Sequence, residues 1–396
     1  MNIKKIIFAA TLACVFSLTA DAARWSAKSN ADLRAAMLAR AELFRQAVVG
    51  QEISNDLTAF ICEVNALAAS QPYAWLIQTH KFVNEQLRRY PLGMNLPYGD
   101  KETNFIIRKN LLYLRDFPMH EANMATETPA PEAGQAAAFE DACEYYLGAA
   151  RRDFLNWLDS PAPTAPGELQ LFKEYNMGFA FRTSERLVLI DIKWDGTDEE
   201  AAYIASKADI IFLTHNHSDH YSQVLLNEMA KAGKYLVMPL DKVPTYTDTE
   251  KKIVRTDDFE PVNLDGVEVQ GFMGVQNGTP CFVYAIEFDG WRIAHAGDNQ
   301  SGEAESNLQN LEGFDVATIA CFSTPSRILE YILKSVGQDK RDLVFLSGHE
   351  NERTHNVYGR IGYNEDYEES AKFGSATFDY PSIFIMDNGE YATLKK

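Results

Sequence analysis

Three histidines and an aspartate lie within six residues of each other, in the sequence Thr-His-Asn-His-Ser-Asp-His at 214–220. The segment follows a short apolar run that is typical of a buried strand. If the segment continues as extended chain, His215, His217 and Asp219 point the same way while His220 enters the following turn. Imidazole and carboxylate groups that converge at a strand end form a site for zinc, iron or manganese. A histidine-rich surface patch is the alternative interpretation.

The elements that position this segment belong to a mixed α/β pattern in the second half of the chain. Apolar runs of strand length alternate there with helical stretches, and Asp289-Gly290 marks a hairpin. The predicted helices are Asp198–Ala208, Tyr221–Ala232 and Pro325–Val336. The predicted strands are Arg186–Ile192, Asp209–Leu213, Tyr235–Pro239, Val267–Phe272, Cys281–Phe288, Trp291–Ala296, Val316–Phe322, Leu343–Leu346 and Ser382–Met386. Buried strands of this kind need cover on both faces.

The first half of the chain has a different organisation. From Ala23 to about Ser160 the apolar residues recur at helical spacing, which predicts an all-α domain at 23–160. Three prolines in Pro161–Gly167 cannot join a helix or a central strand, so this segment is predicted to be a stiff linker. With 396 residues the chain is long for one hydrophobic core. We therefore expect a second domain at 168–396.

The N-terminus has the pattern of a secretory signal. Two lysines precede the apolar run Ile6–Ala20, which covers 15 residues, whereas a membrane span needs about 20. Small residues three and one positions before a cut after Ala22 fit a signal peptide at 1–22, which predicts an exported, periplasmic or secreted protein. A lipid anchor on Cys14 is the competing interpretation.

The composition narrows the classes of partner. The hydrophobic fraction is 46%, which fits a folded protein and argues against disorder. The formal net charge is −19, and an acidic surface of this kind repels polyanions. We therefore expect a small-molecule substrate, no nucleic acid and no membrane span, while the helical domain has a partner of unknown identity or none.

With its flanking segments the motif resembles the metallo-β-lactamase superfamily. The matching stretches are HxHxDH within 214–220, the presumed opening strands at 175–179 and 187–191, the later Gly-Asp motif at 293–299, and Ser-Gly-His at 347–349. The resemblance covers about 168 to the C-terminus and excludes the helical half. It implies an α/β (α+β) fold, an αββα sandwich, in which an extra helical domain precedes the metal-binding domain. The Gly-Asp motif is most similar to the branch of L-ascorbate 6-phosphate lactonase.

The resemblance also implies the roles of individual residues. His215 and His217 would bind one metal ion, and Asp219, His220 and His349 would bind another. Asp298 would bridge the two ions. Zinc is the expected metal, with manganese or iron as alternatives, and one or two ions bind.

Metal ions of this kind lower the pKa of a bound water and polarise the bond that it attacks. Asp219 and Asp298 are therefore the candidate catalytic residues, because Asp219 can also accept or return a proton. Asp191, at the end of its predicted strand, either orients a ligand or caps the following turn.

One position departs from this pattern. The superfamily has a further histidine between the two motifs, yet this chain has none from Tyr221 to Ala294. Gln276 or Asn277 could replace it, although an amide oxygen is a weak, neutral ligand, and Cys281 is a more remote third candidate. His295 is interpreted as structural, because three residues along a strand separate it from Asp298 and place the two on opposite faces.

The sequence as a whole predicts an exported metal-dependent hydrolase that uses a metal-bound hydroxide on a small ester-type bond, either a phosphodiester or a lactone. The alternative is a degenerate, non-catalytic domain of the same fold with a partner-binding helical region. Retention of Asp298 and His349 favours the enzyme, and loss of the third histidine favours the alternative.

Overall fold

The computed structural model describes residues 30–68, 71, 73–92, 103–104, 106–115, 133–239, 253–255, 259–320, 325–338, 343–349 and 382–396. The predicted signal peptide lies outside these residues. Within them, no helix is long and apolar enough to cross a membrane.

The chain divides into two compact units, the first of which is helical. Its helices are α1 (Asn30–Ala47), α2 (Glu52–Ala66), α3 (Ala74–Arg89), a segment at 106–115 here called α4, and the first part of α5 (Ala133–Asp159). Apolar residues spaced three or four apart are buried along each of α1 to α3, as the periodicity predicts.

The boundary between the units lies within α5. Residues of this helix up to Tyr146 belong to the first unit, and those from Leu147 onward belong to the second. In the second unit Phe154 and Trp157 pack against Phe172, with ring centroids 5.1 and 5.3 Å apart. The last turns of the predicted helical segment therefore contribute to the core of the α/β unit.

The described strands of the second unit form two sheets of seven strands each. The strands are β1 (Glu168–Lys173), β2 (Phe179–Arg182), β3 (Leu187–Ile190), β4 (Ile210–Phe212), β5 (Tyr235–Met238), β6 (Ile253–Arg255), β7 (Phe259–Leu264), β8 (Val267–Gln276), β9 (Thr279–Phe288), β10 (Trp291–His295), β11 (Val316–Ala320), β12 (Val344–Gly348), β13 (Ser382–Ile385) and β14 (Glu390–Lys395). The first sheet has the order β14-β1-β2-β3-β4-β5-β6 and the second has the order β13-β12-β11-β10-β9-β8-β7.

Helices cover the outer faces of both sheets. The C-terminal part of α5, α6 (Asp198–Lys207) and α7 (Gln223–Lys231) share a core with the first sheet. A capping box between Thr197 and Glu200 begins α6. Helices α8 (Gly302–Ser306) and α9 (Pro325–Leu333) pack on the second sheet.

The inner faces of the sheets meet through apolar side chains. The rings of Phe212 in β4 and Tyr284 in β9 have centroids 5.4 Å apart, and the Tyr284 hydroxyl donates to the Leu213 carbonyl at 2.8 Å. The layers therefore follow the order helix, sheet, sheet, helix. The predicted fold class, an αββα sandwich preceded by helices, is confirmed.

Two local predictions are wrong. The stretch at 175–178 is a turn between β1 and β2, in which the Glu174 amide donates to the Gly178 carbonyl at 2.8 Å. The strand predicted at Val267–Phe272 extends to Gln276, where a hairpin at Asn277-Gly278 leads into β9. Both turn residues have positive φ, 49° and 84°, which suits an Asn-Gly pair.

Candidate metal centre

Four candidate ligands meet at one edge of the sandwich. Asp219 and His220 lie in the turn that follows β4, Asp298 follows β10, and His349 follows β12. Their ligand atoms all lie within 4.8 Å of one another, although the residues span more than a hundred positions of the chain. The strand ends thus bring together side chains that the sequence separates widely.

The contacts in this cluster alternate imidazole and carboxylate. His220 Nε2 lies 3.3 Å from Asp219 Oδ2 and 3.2 Å from Asp298 Oδ2. His349 Nε2 lies 3.3 and 3.1 Å from the same two oxygens. Asp219 is 9% exposed and the other three residues are buried more deeply. Two carboxylates and two imidazoles at this spacing form the donor set of a transition-metal site.

His215 and His217 lie beside this cluster. His215 Nε2 is 3.9 Å from Asp298 Oδ2, and the His215 ring centroid lies 4.5 Å from that of His217 and 4.1 Å from that of His220. His220 lies in the turn that follows the extended segment, as predicted. The segment bends into a turn in which the His220 amide donates to the His217 carbonyl at 3.1 Å, and this turn directs His220 into the site.

The buried carboxylate of Asp191 contacts two histidines, His220 and His295, and the adjacent Thr214. Its Oδ2 lies 3.0 Å from His220 Nδ1 and 3.2 Å from His295 Nε2, and it accepts from the Thr214 hydroxyl at 2.6 Å. Its Oδ1 accepts from the Thr214 amide at 2.8 Å. Asp191 is therefore an orienting residue. The alternative role, a cap for the turn that follows β3, is not supported, because these side-chain contacts are with Thr214, His220 and His295.

These contacts determine which ring nitrogen carries a proton in His220 and in His215. A carboxylate only accepts, so His220 presents Nδ1–H to Asp191. The Thr214 hydroxyl proton points to Asp191, and His215 Nδ1, at 3.0 Å from that hydroxyl, must donate to its oxygen. In both rings Nε2 is then the nitrogen that is available to a metal ion.

The residues fit a bound cation. Within the described part of the chain, His215 Nε2, His220 Nε2, Gln276 Oε1 and Asp298 Oδ1 are buried and have no hydrogen-bond partner. Buried polar atoms are normally paired, and an ion is one of the explanations for those that are not. All four are atoms with lone pairs that a metal ion can use.

Electrostatics favour positive charge at the cluster. Burial acts to lower the pKa of His349, but the carboxylates of Asp298 and Asp219 outweigh it and raise the pKa to about 10. The same balance raises the pKa of His220 well above its usual value. His215 lies to one side, and burial lowers its pKa to about 3. The negative carboxylates thus stabilise positive charge in the cluster, which either imidazolium protons or a metal ion can supply.

Asn176 is a site residue that the sequence analysis missed. Its Nδ2 donates to Asp219 Oδ2 at 2.8 Å, and its carbonyl accepts from the His349 amide at 3.2 Å. It therefore positions two candidate ligands at once. Its φ of 53° is left-handed, a conformation that asparagine tolerates better than most residues. The only available signal in the sequence was an asparagine close to a glycine, Gly178, a pattern that is typical of a tight turn.

The structure separates the candidates for the missing histidine. Gln276 is 2% exposed, and its Nε2 donates to Asp298 Oδ2 at 2.8 Å. Asn277 is exposed in the hairpin turn. His295 contacts Asp191 and, through Nδ1 at 2.6 Å, the Thr318 hydroxyl. Gln276 is therefore the residue that reaches the cluster, while His295 has the structural contacts expected of it.

Comparison with protein families connects this geometry to a known domain. Residues 176–325 match the model of the beta-lactamase superfamily domain. The match supports an enzyme, a metal-dependent hydrolase, and spans the candidate ligands from Asp219 to Asp298. The lactonase-like branch stays a prediction. A comparison with curated protein sequences gives no match.

Solved structures of the same fold are similar at low identity. Igni18, a metallo hydrolase from Ignicoccus hospitalis, is 18% identical, with 58% of this chain and 99% of that chain covered and a TM-score of 0.44. A possible metal-dependent hydrolase from Veillonella parvula is 12% identical over 58% and 100% of the two chains, with a TM-score of 0.42. YhfI from Bacillus subtilis is 13% identical over 57% and 99%, with a TM-score of 0.41. These likenesses are too distant to transfer an activity.

Proposed function

We propose that the protein is an exported metal-dependent hydrolase that cleaves an ester-type bond of a small molecule, either a phosphodiester or a lactone. The observation that carries the proposal is the convergence of Asp219, His220, Asp298 and His349, whose ligand atoms lie within 4.8 Å of one another. The family match supports the same chemistry.

The four residues would hold the ion, and zinc is the first candidate because imidazole and carboxylate are among its usual ligands. When bound, such an ion lowers the pKa of water and polarises the bond under attack. Asp219 is the most exposed of the four, so we assign to it the transfer of a proton to or from the substrate. Asn176 and Asp191 keep Asp219 and His220 in place.

The net charge of the chain limits the class of substrate, and the predicted leader sets the compartment in which the substrate is met. A net charge of −19 disfavours a polyanion such as nucleic acid, whereas a small anion can be neutralised at the metal. The signal sequence at 1–22 would direct the mature protein to the periplasm or beyond.

The test begins with elemental analysis of the purified mature protein after expression with zinc, manganese or iron. We expect at least one metal equivalent. Less than about a tenth of an equivalent would contradict the proposal. Hydrolysis of bis-p-nitrophenyl phosphate and a lactone panel follows, with a single-stranded oligonucleotide that we expect to remain intact.

Asp298→Ala is the decisive variant. Loss of a carboxylate shared by two histidine contacts should lower the hydrolysis rate at least about 10²-fold while the fold is retained. Metal loading without turnover of any probe would instead support the non-catalytic alternative, which the replacement of the third histidine by Gln276 favours.

A further inference from the structure

We infer that Gln276 restricts the centre to one tightly bound ion, held by Asp219, His220, Asp298 and His349, and leaves the position beside His215 and His217 weak. The inference rests on the proposed function, because it specifies how many ions the proposed metal site holds.

The orientation of the Gln276 amide is the first argument. Its Nε2 lies 2.8 Å from Asp298 Oδ2. The reversed orientation would place the amide oxygen against a carboxylate oxygen, and two acceptors repel each other. Gln276 therefore acts as a hydrogen-bond donor to Asp298, in the segment where the resemblance implies a further histidine ligand.

The sharing of one Asp298 oxygen is the second argument. Asp298 Oδ2 lies 3.2 Å from His220 Nε2 and 3.1 Å from His349 Nε2, and it accepts from Gln276. His215 Nε2 is more distant, at 3.9 Å. Asp298 Oδ2 is therefore shared among the Gln276 amide and the first ion's ligands, and only Asp298 Oδ1 has no hydrogen-bond partner among the described residues.

The charge of the two positions is the third argument. The four-residue cluster offers two carboxylates to one ion. The position beside it offers two imidazoles, His215 and His217, the amide oxygen of Gln276 and at most the second oxygen of the shared Asp298. Affinity for a divalent cation depends on the charge and number of its ligands, so the second position must be much weaker.

Gln276 is also fixed in place by the backbone on both sides. The Val275 amide donates to Asn299 Oδ1 at 3.1 Å, and the Val275 carbonyl accepts from the Gln300 amide at 2.8 Å. The Asn277 amide donates to Gln300 Oε1 at 3.2 Å. A Cβ at Gly274 would lie 1.8 Å from Asn299 Oδ1, so only glycine permits this approach. The end of β8 is thus secured to the loop that carries Asp298.

The test is calorimetric titration of zinc into the metal-free full-length mature protein. We expect one tight equivalent, with any second equivalent at least about 10²-fold weaker. Gln276→His supplies an imidazole and should add a second tight equivalent. Gln276→Leu supplies no ligand and should retain a single tight equivalent. The circular dichroism spectrum establishes that each variant is folded.

Gln270→His is the matched control. It lies on the same strand at a position of the same parity and should not add a metal equivalent. Two equally tight sites in the parent protein would overturn this inference and leave the proposed function standing. An unchanged stoichiometry in folded Gln276→His would also overturn it. No bound zinc at all would overturn both.

Discussion

Asp191 Oδ2 and His220 Nδ1 lie 3.0 Å apart in a fully buried contact that orients a candidate metal ligand. Asp191→Asn removes a carboxylate that accepts from four donors, and one amide oxygen cannot replace it. We expect zinc affinity to fall by about 10- to 100-fold, measured by competition with a chelator. Asp195→Asn, an exposed carboxylate four residues later, should leave the affinity unchanged. Equal effects of the two substitutions would refute the orienting role.

His295 should act through Asp191. Its Nε2 lies 3.2 Å from Asp191 Oδ2, so His295→Ala should reduce zinc affinity far less than Asp298→Ala does. The double variant Asp191→Asn/His295→Ala should bind zinc no more weakly than Asp191→Asn alone, because residues in one network are not additive. His295→Gln can place an amide N–H near the lost Nε2 and should restore part of the affinity. Additive losses would show that His295 contributes separately.

Asn176 combines a side-chain role with a backbone role, and two substitutions separate them. Asn176→Gly and Asn176→Ala both remove the 2.8 Å hydrogen bond to Asp219 and should weaken zinc binding to the same extent. Alanine must also adopt a φ near 53°, which costs about 1–2 kcal/mol more than glycine. Thermal unfolding should therefore show a lower Tm for alanine. Equal Tm values would show that the backbone conformation is not costly.

Glu174 should make stability depend on pH. Burial, and secondarily the charge of Asp195, raises the pKa of Glu174 from 4.5 to about 8. The folded state therefore binds the proton more strongly, and stability is lost as pH rises from about 4.5 to 8. Glu174→Gln cannot ionise, so its Tm relative to the parent should increase across this window and level off above it. A difference in Tm that does not change with pH would contradict the assignment.

The predicted export can be tested by intact mass. A cut after Ala22 gives a mature chain that begins at Ala23. A mature protein that begins at a lipid-modified Cys14 would instead place the chain at a membrane surface. Retention of Met1 would remove the basis for export.

The sequence by itself determined much of the α/β unit. Strand-length apolar runs and the linker indicated a mixed α/β unit after a helical one, because periodicity and proline restrictions are local properties. The histidine-rich motif after a strand, together with the resemblance, led to the metal-binding candidates for the same reason. The sandwich itself was implied by the family resemblance. The end of β8 was predicted at Phe272, whereas the strand continues to Gln276. The sequence does contain a signal for the later end, the hairpin pair Asn277-Gly278.

Only the tertiary structure decided which candidates meet. The sequence placed His220 in the turn after the extended segment, but only the fold shows that the turn at 218–220 directs its ring into the cluster. Asp191 contacts His295 across 104 positions, and Asn176 contacts Asp219 across 43. No local pattern encodes such distances, because they depend on how two sheets pack. The choice of Gln276 over its exposed neighbour Asn277 likewise depends on where β8 ends against the loop of Asp298, which is a long-range contact.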